Sequence, residues 1–201
     1  MNLEELEARL RNVEDQLEID KLEKIYGYYL DNYKYEEAID LFSDDAESIE
    51  IGNRGVFKGK AGVRRFFLDF MKRDFDADPI GRMGLHHQLQ SVVTVAPGGK
   101  TANGRWYILT LAAAALEPGG PKRSLLTHGV YENEFVKENG KWKIKKMFMA
   151  SHFACTLPEG WTKTPYMRIP ALSDADAPPT AYHPYPNLGY VPFHWENPAE
   201  S

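Results

Sequence analysis

Three runs decide the architecture: TANGRWYILTLAAAAL (Thr101 to Leu116), SLLTHGVYENEFVKE (Ser124 to Glu138) and KWKIKKMFMASHFA (Lys141 to Ala154). Each is long and rich in β-branched and aromatic residues, which favours strand. The connections EPGGPKR and NGK are turn clusters of Gly, Pro and Asn, too short for the crossover of a dozen or more residues that a parallel return needs. HHQLQSVVTV (His86 to Val95), joined through APGGK, adds a fourth strand in front. The stretch therefore predicts an antiparallel meander of four long strands.

Upstream the period changes. Leu3, Leu6, Leu10, Val13, Leu17 and Leu22 recur at helical spacings and the series resumes at Ile25 and Tyr29, which predicts a helix from Asn2 to Tyr33 with a possible break near Ile19. Acids and bases occupy its other faces, so the leucine stripe asks for cover by a neighbouring subunit. YEEAIDLFSDDA (Tyr35 to Ala46) reads as a second, short helix before the strand ESIEI, and GKAGVRRFFLDFMKRDF as a third. After Thr156 most of the chain's prolines accumulate, which excludes further sheet pairing. That tail carries Trp161, Tyr166, Tyr182, Tyr185, Tyr190, Phe193 and Trp195, too aromatic to remain free, and is expected to pack on the barrel or on a neighbouring subunit.

With 201 residues, 43% hydrophobic, the chain is long enough for one core; a net charge of −5 argues against nucleic acid or an anionic membrane as partner. No apolar run is long enough to span a bilayer, the charged N-terminal stretch is unlike a signal peptide, and a single cysteine forbids an intrachain disulfide. These features predict a cytoplasmic protein.

Helices, a short hairpin, then a curved antiparallel sheet are the order of a cone-shaped α+β barrel, with the sheet wrapped around the first helix and a pocket at its open end. The stretches IDKLEKIYGYYLDNYKYEEAIDLFSDDA, GVFKGKAGVRRFF, GLHHQLQSVV, GRWYILTL and GVYENEFVKENGKWKI together resemble the SnoaL-like branch of the nuclear transport factor 2-like superfamily, over roughly residues 12 to 155. The expected organisation is a barrel domain with a helical extension over residues 1–156 and a tail over 157–201.

In HHQLQSVVTV the odd positions are mostly apolar and the even ones mostly polar, so alternation predicts His87 inside and His86 outside, unless a bulge swaps them. The dehydratases of this family place a histidine on the sheet and an Asp and a Tyr on the first helix. The resemblance therefore implies catalytic roles for His87, for Asp31 as its orienting partner, and for Tyr26, five residues before Asp31 in IYGYYLD. The bland alternatives are a core histidine, a solvated helix-end acid and a core tyrosine. His128, followed by Gly129, is the other sheet histidine and the fourth candidate. Trp106, Tyr107, Tyr131 and Phe148 are candidates for an aromatic lining, and Arg54, Arg105 and His86 for substrate contacts. Thr110 stands where the bile-acid dehydratase has a second carboxylate.

No dinucleotide, P-loop or metal motif is present, so no cofactor is expected. What remains is cofactor-independent acid–base chemistry on a bulky hydroxylated aromatic. In its sharpest form the resemblance implies a lyase of lignin-derived diarylpropane diols that releases water and formaldehyde to give a stilbene. A ketosteroid-type isomerase, a polycyclic dehydratase or a non-catalytic binding module for an apolar ligand are the alternatives. A homo-oligomer, trimer or dimer, is expected.

Overall fold

The computed structural model describes residues 2–77, 79–115, 120–163, 172–180, 184–187 and 190–196. Helix α1 (Leu3–Asp31) opens on a capping box, in which the Asn2 side chain accepts from the Glu5 N–H and the Glu5 carboxylate accepts from the Asn2 N–H. It runs without a break at Ile19. Tyr33, at φ 57°, then turns the chain into α2 (Tyr35–Asp40), shorter than the sequence suggests. Strands β1 (Ser48–Ile51) and β2 (Val56–Lys58) form a hairpin. The third helical region is α3 (Gly59–Arg64), a π-helical stretch (Arg65–Lys72) and α4 (Arg73–Ala77).

The predicted meander follows as β3 (Met83–Val95), β4 (Thr101–Ala115), β5 (Lys122–Glu138) and β6 (Lys141–Thr156). The six-stranded sheet has the order β2-β1-β6-β5-β4-β3, antiparallel throughout except that β1 runs parallel to β6. Helices against a curved mixed sheet are the α+β cone that the element order predicts.

The sheet encloses the second half of α1. Ile19, Leu22, Tyr26 and Leu30 are buried there with Trp106, Ile108, Tyr131 and Phe135 of the sheet and Phe66 and Phe67 of the π-helical stretch. Burial of each such side chain contributes about 1.5–3 kcal/mol. Polar contacts fix the helix's angle: the Trp142 indole donates to Asp15 at 2.8 Å, the Trp106 indole to Asp20 at 3.1 Å and the Asn133 amide to Glu23 at 3.2 Å. Residues 2–14 are exposed and project beyond the sheet.

Described parts of the tail lie against the hairpin and the outer face of the sheet. The Ala177 carbonyl accepts from Val56, Thr180 donates to Glu50, and the carbonyls of Val191 and Pro192 receive Arg105. The Arg105 guanidinium lies 4.7 Å from the Phe193 ring centre, and His194 contacts Glu132 and Thr94. Tyr166 and Tyr182 lie outside the described residues.

Gly27 is where α1 comes closest to β3. A Cβ there would stand 2.9 Å from the His86 carbonyl oxygen and 3.3 Å from the Gln88 amide nitrogen. Because the nearer neighbour is backbone, Gly27→Ala should cost about 1–3 kcal/mol by overpacking. Chemical denaturation with an unchanged midpoint would show that helix and strand separate freely at this point.

Candidate active site

The register of β3 decides which histidine looks inward. Leu89 pairs with Tyr107 but Val92 pairs with Arg105, so β3 spends one more residue than β4 between these two pairs, and Gln90 sits at φ 37°. This bulge inverts the alternation. Beyond it Val93 and Val95 turn toward the core; before it His86 and Gln88 do. The expectation that His87 faces in is therefore corrected: the apolar pattern behind it comes from the far side of the bulge. His87 is exposed, with Nδ1 3.2 Å from the Leu109 carbonyl.

His86 takes the inward place. Its Nδ1 lies 2.8 Å from Asp31 Oδ1, and its backbone N–H donates to the same oxygen at 2.8 Å. Asp31 ends α1, so the helix presents its last carboxylate to the strand. With Nδ1–H donated to the carboxylate, Nε2 is the nitrogen left to exchange a proton. The pair is shielded, each side chain about one-fifth exposed, which strengthens the charge interaction relative to a surface pair.

His86 lines a cavity of about 130 Å³, together with Tyr26, Arg54, Phe67, Tyr131 and others. Tyr26 and Tyr131 meet edge to face with ring centres 6.2 Å apart. Burial holds both phenols well above the ordinary tyrosine range, with the nearby Glu23 adding to it, so both stay neutral donors. Arg54 brings a positive charge to the cavity, its guanidinium 5.4 Å from the Phe70 ring centre. Thr110, Thr127 and Ser151 add hydroxyls to the lining.

Glu23, one helical turn before Tyr26, is fully buried. Its Oε2 receives Asn133, while Oε1 has no hydrogen-bond partner among the described residues, and burial pushes its carboxyl up to about 8. Sequence reasoning missed it because a Glu among LEK residues of a charged helix reads as solvated; the only signal was its place on the same face as Ile19 and Tyr26.

The remaining sequence candidates lie elsewhere. His128 is on the outer face, stacked with His152 and Phe153 and 5.2 Å from the Tyr107 ring, and burial lowers its imidazole below the usual range. Tyr107 is thus also outside. Trp106 points inward but is sealed in the core with its indole on Asp20. Arg105 is held outside by Glu132 at 2.5 Å and by the tail carbonyls, and Phe148 lines a separate outer-face cavity beneath the tail. Ladder parity explains the three on β4, Arg105 and Tyr107 outside and Trp106 inside: that strand is apolar on both faces, so composition does not reveal which side is the core. Among the described residues no group of three His, Cys, Asp or Glu side chains is placed to hold a metal ion.

A family model described as a SnoaL-like domain matches residues 11–147. A Novosphingobium aromaticivorans protein carrying the provisional name scytalone dehydratase has a similar structure, with a TM-score of 0.62 and 17% identity over 82% of this chain and 96% of its own. The hexachlorocyclohexane dehydrochlorinase LinA-type3 from Novosphingobium barchaimii is similar at a TM-score of 0.59 and 18% identity, over 78% of this chain and 99% of its own. An NTF2-like protein from N. aromaticivorans matches at 0.57 and 23%, over 81% and 94%. At these identities the likeness is one of fold. No curated protein matches the sequence.

The raised Glu23 carboxyl makes a stability prediction. Its folded value, about 8, exceeds its ordinary 4.5, so the folded state binds the extra proton between these limits and stability falls as pH rises through that window. The slope has an upper bound of about 1.4 kcal/mol per pH unit. Glu23→Gln, which imitates the protonated form, should remove this loss. Parallel stability curves for the two proteins between pH 5 and 8 would show that Glu23 is not held neutral.

Proposed function

We propose that this chain, which belongs to the SnoaL-like domain family, is a cofactor-independent lyase that eliminates water by proton transfer from a bulky hydroxylated aromatic substrate. The observation that carries the reading is the pairing, across one cavity, of a titratable dyad, His86 with Asp31, and a neutral donor pair, Tyr26 with Tyr131. Elimination needs one group that exchanges a proton near neutral pH and another that stabilises an oxygen without giving up its proton. The name of the Novosphingobium barchaimii protein, a dehydrochlorinase, denotes an elimination too.

The specific substrate we propose is a lignin-derived diarylpropane diol with a para-hydroxyl on one ring. The diol binds as its phenolate, the phenol proton having passed to solvent; protonated His86 then gives its Nε2 proton to the benzylic hydroxyl, which leaves as water as an electron pair from the phenolate oxygen forms the quinone methide. The phenol oxygen carries negative charge before this step and again after the C–C cleavage, and the Tyr26 and Tyr131 hydroxyls and Arg54 are suited to hold it both times. The now neutral His86 then takes the proton of the neighbouring hydroxymethyl. Its C–C bond breaks, formaldehyde departs, and the released pair restores the aromatic ring and completes the stilbene double bond; the phenolate is reprotonated. One imidazole thus serves as acid and then as base, oriented throughout by Asp31.

Incubation with such a diol should yield formaldehyde and stilbene in equal amounts, and its phenolic methyl ether should be inert. His86→Ala should lose at least about 100-fold in kcat, the scale of a general acid or base, while His87→Ala stays close to wild type. Asp31→Asn should keep the fold, checked by thermal unfolding, and lose turnover. Dehydration without formaldehyde would leave the lyase reading and remove the diarylpropane; tight binding with neither product would favour the binding module.

A further inference from the structure

The first half of α1 has no role in the cavity, yet it is the most regular part of the helix. Leu3, Leu6, Leu10, Val13 and Leu17 stand at alternating steps of three and four, the 3.5-residue repeat of a coiled-coil seam and not the 3.6 of a helix lying on a globular core. All five are bare in the folded chain, at 69, 48, 56, 52 and 64% exposure.

The opposite face of the same helix is committed. Asp15, Ile19, Leu22 and Tyr26 are buried against the sheet, and on a helix turning about 100° per residue their stripe lies about 170° from the leucine stripe. The seam therefore points directly away from the barrel. A second helix can lie along it with its own barrel on the far side, clear of the first. The charges flanking the seam are self-complementary. Counting Leu3 as the first core position, Arg9 and Glu14 fall on the two flanking positions that face one another between parallel, in-register helices, so that each Arg9 meets the Glu14 of the other chain.

We infer that the Leu3 to Leu17 segment forms a parallel, in-register coiled coil with α1 of a second copy of this chain. Fifteen residues are too few for an isolated helix to pair stably, because nucleation is costly. Here that cost is already met: α1 is continuous into the barrel, where tertiary packing fixes its second half, and the capping box at Asn2 and Glu5 secures its start. The seam arrives at its partner already helical.

Light scattering should give twice the chain mass for the wild type and one chain for Leu6→Glu/Val13→Glu, with the circular dichroism and thermal midpoint of the barrel retained, since both positions are exposed. Arg9→Glu alone should weaken association at low salt, and Arg9→Glu/Glu14→Arg should restore it. Val13→Cys should give a covalent two-chain species on oxidation, which wild type does not, its single cysteine being buried. A monomeric wild type, a mass that survives Leu6→Glu/Val13→Glu, or a Val13→Cys protein that stays uncrosslinked would each overturn the proposal. None of these readouts depends on the reaction the cavity performs.

Discussion

The sheet grips α1 through carboxylates. Asp15, Asp20, Glu23 and Asp31 lie along the helix face that enters the cone, and each receives an N–H from a different strand: Trp142 of β6, Trp106 of β4, Asn133 of β5 and His86 of β3. Apolar burial alone would let the helix slide or rotate within a greasy sleeve, since it is non-directional. Hydrogen bonds at four heights do not. A buried charge left without its partner costs several kcal/mol, so any shift by a fraction of a turn breaks several contacts at once. The cavity inherits this precision, because its dyad is the last of the four contacts.

The same row of acids separates the cavity into two electrostatic halves. On one side the His86 ring is hydrogen-bonded to Asp31. On the other, Tyr26 and Tyr131 are kept protonated by burial and by Glu23 behind them. Two groups with similar proton affinities would exchange roles; groups pushed apart by their surroundings keep distinct ones. Burial thus widens a difference between phenol and imidazole that residue type already sets.

Much of the fold was legible because its determinants are local. Turn clusters at 96–100 and 139–140, the change from helical to strand period near residue 83, and the proline density after Thr156 act within a few residues and were visible as such. The site was legible only in part. Tyr26 and Asp31 share a helix, so their relation follows from spacing, whereas the orientation of His86 depends on a bulge whose cause, Gln90 at positive φ, has no glycine to announce it. His128 and Tyr107 misled for a different reason. They sit on an outer face that is itself apolar and aromatic, with Leu109 and Phe153 beside them, so composition does not distinguish inside from outside there.

The bulge at Gln90 also divides β3 into two stretches answerable to different parts of the molecule. The stretch before it carries His86 and the contact to α1; the one after it carries Thr94, which meets His194 of the tail. An uninterrupted strand transmits every insertion or deletion along its whole length, turning each side chain over. A strand with a joint does not: a length change on the tail side can be taken up at the joint, and the histidine keeps its heading. The surface that receives the tail can thus diverge between relatives without disturbing the contact of His86 with Asp31, and a comparison of their sequences across this strand should be anchored on the Asp31 partner and not on the hydrophobic pattern that surrounds it.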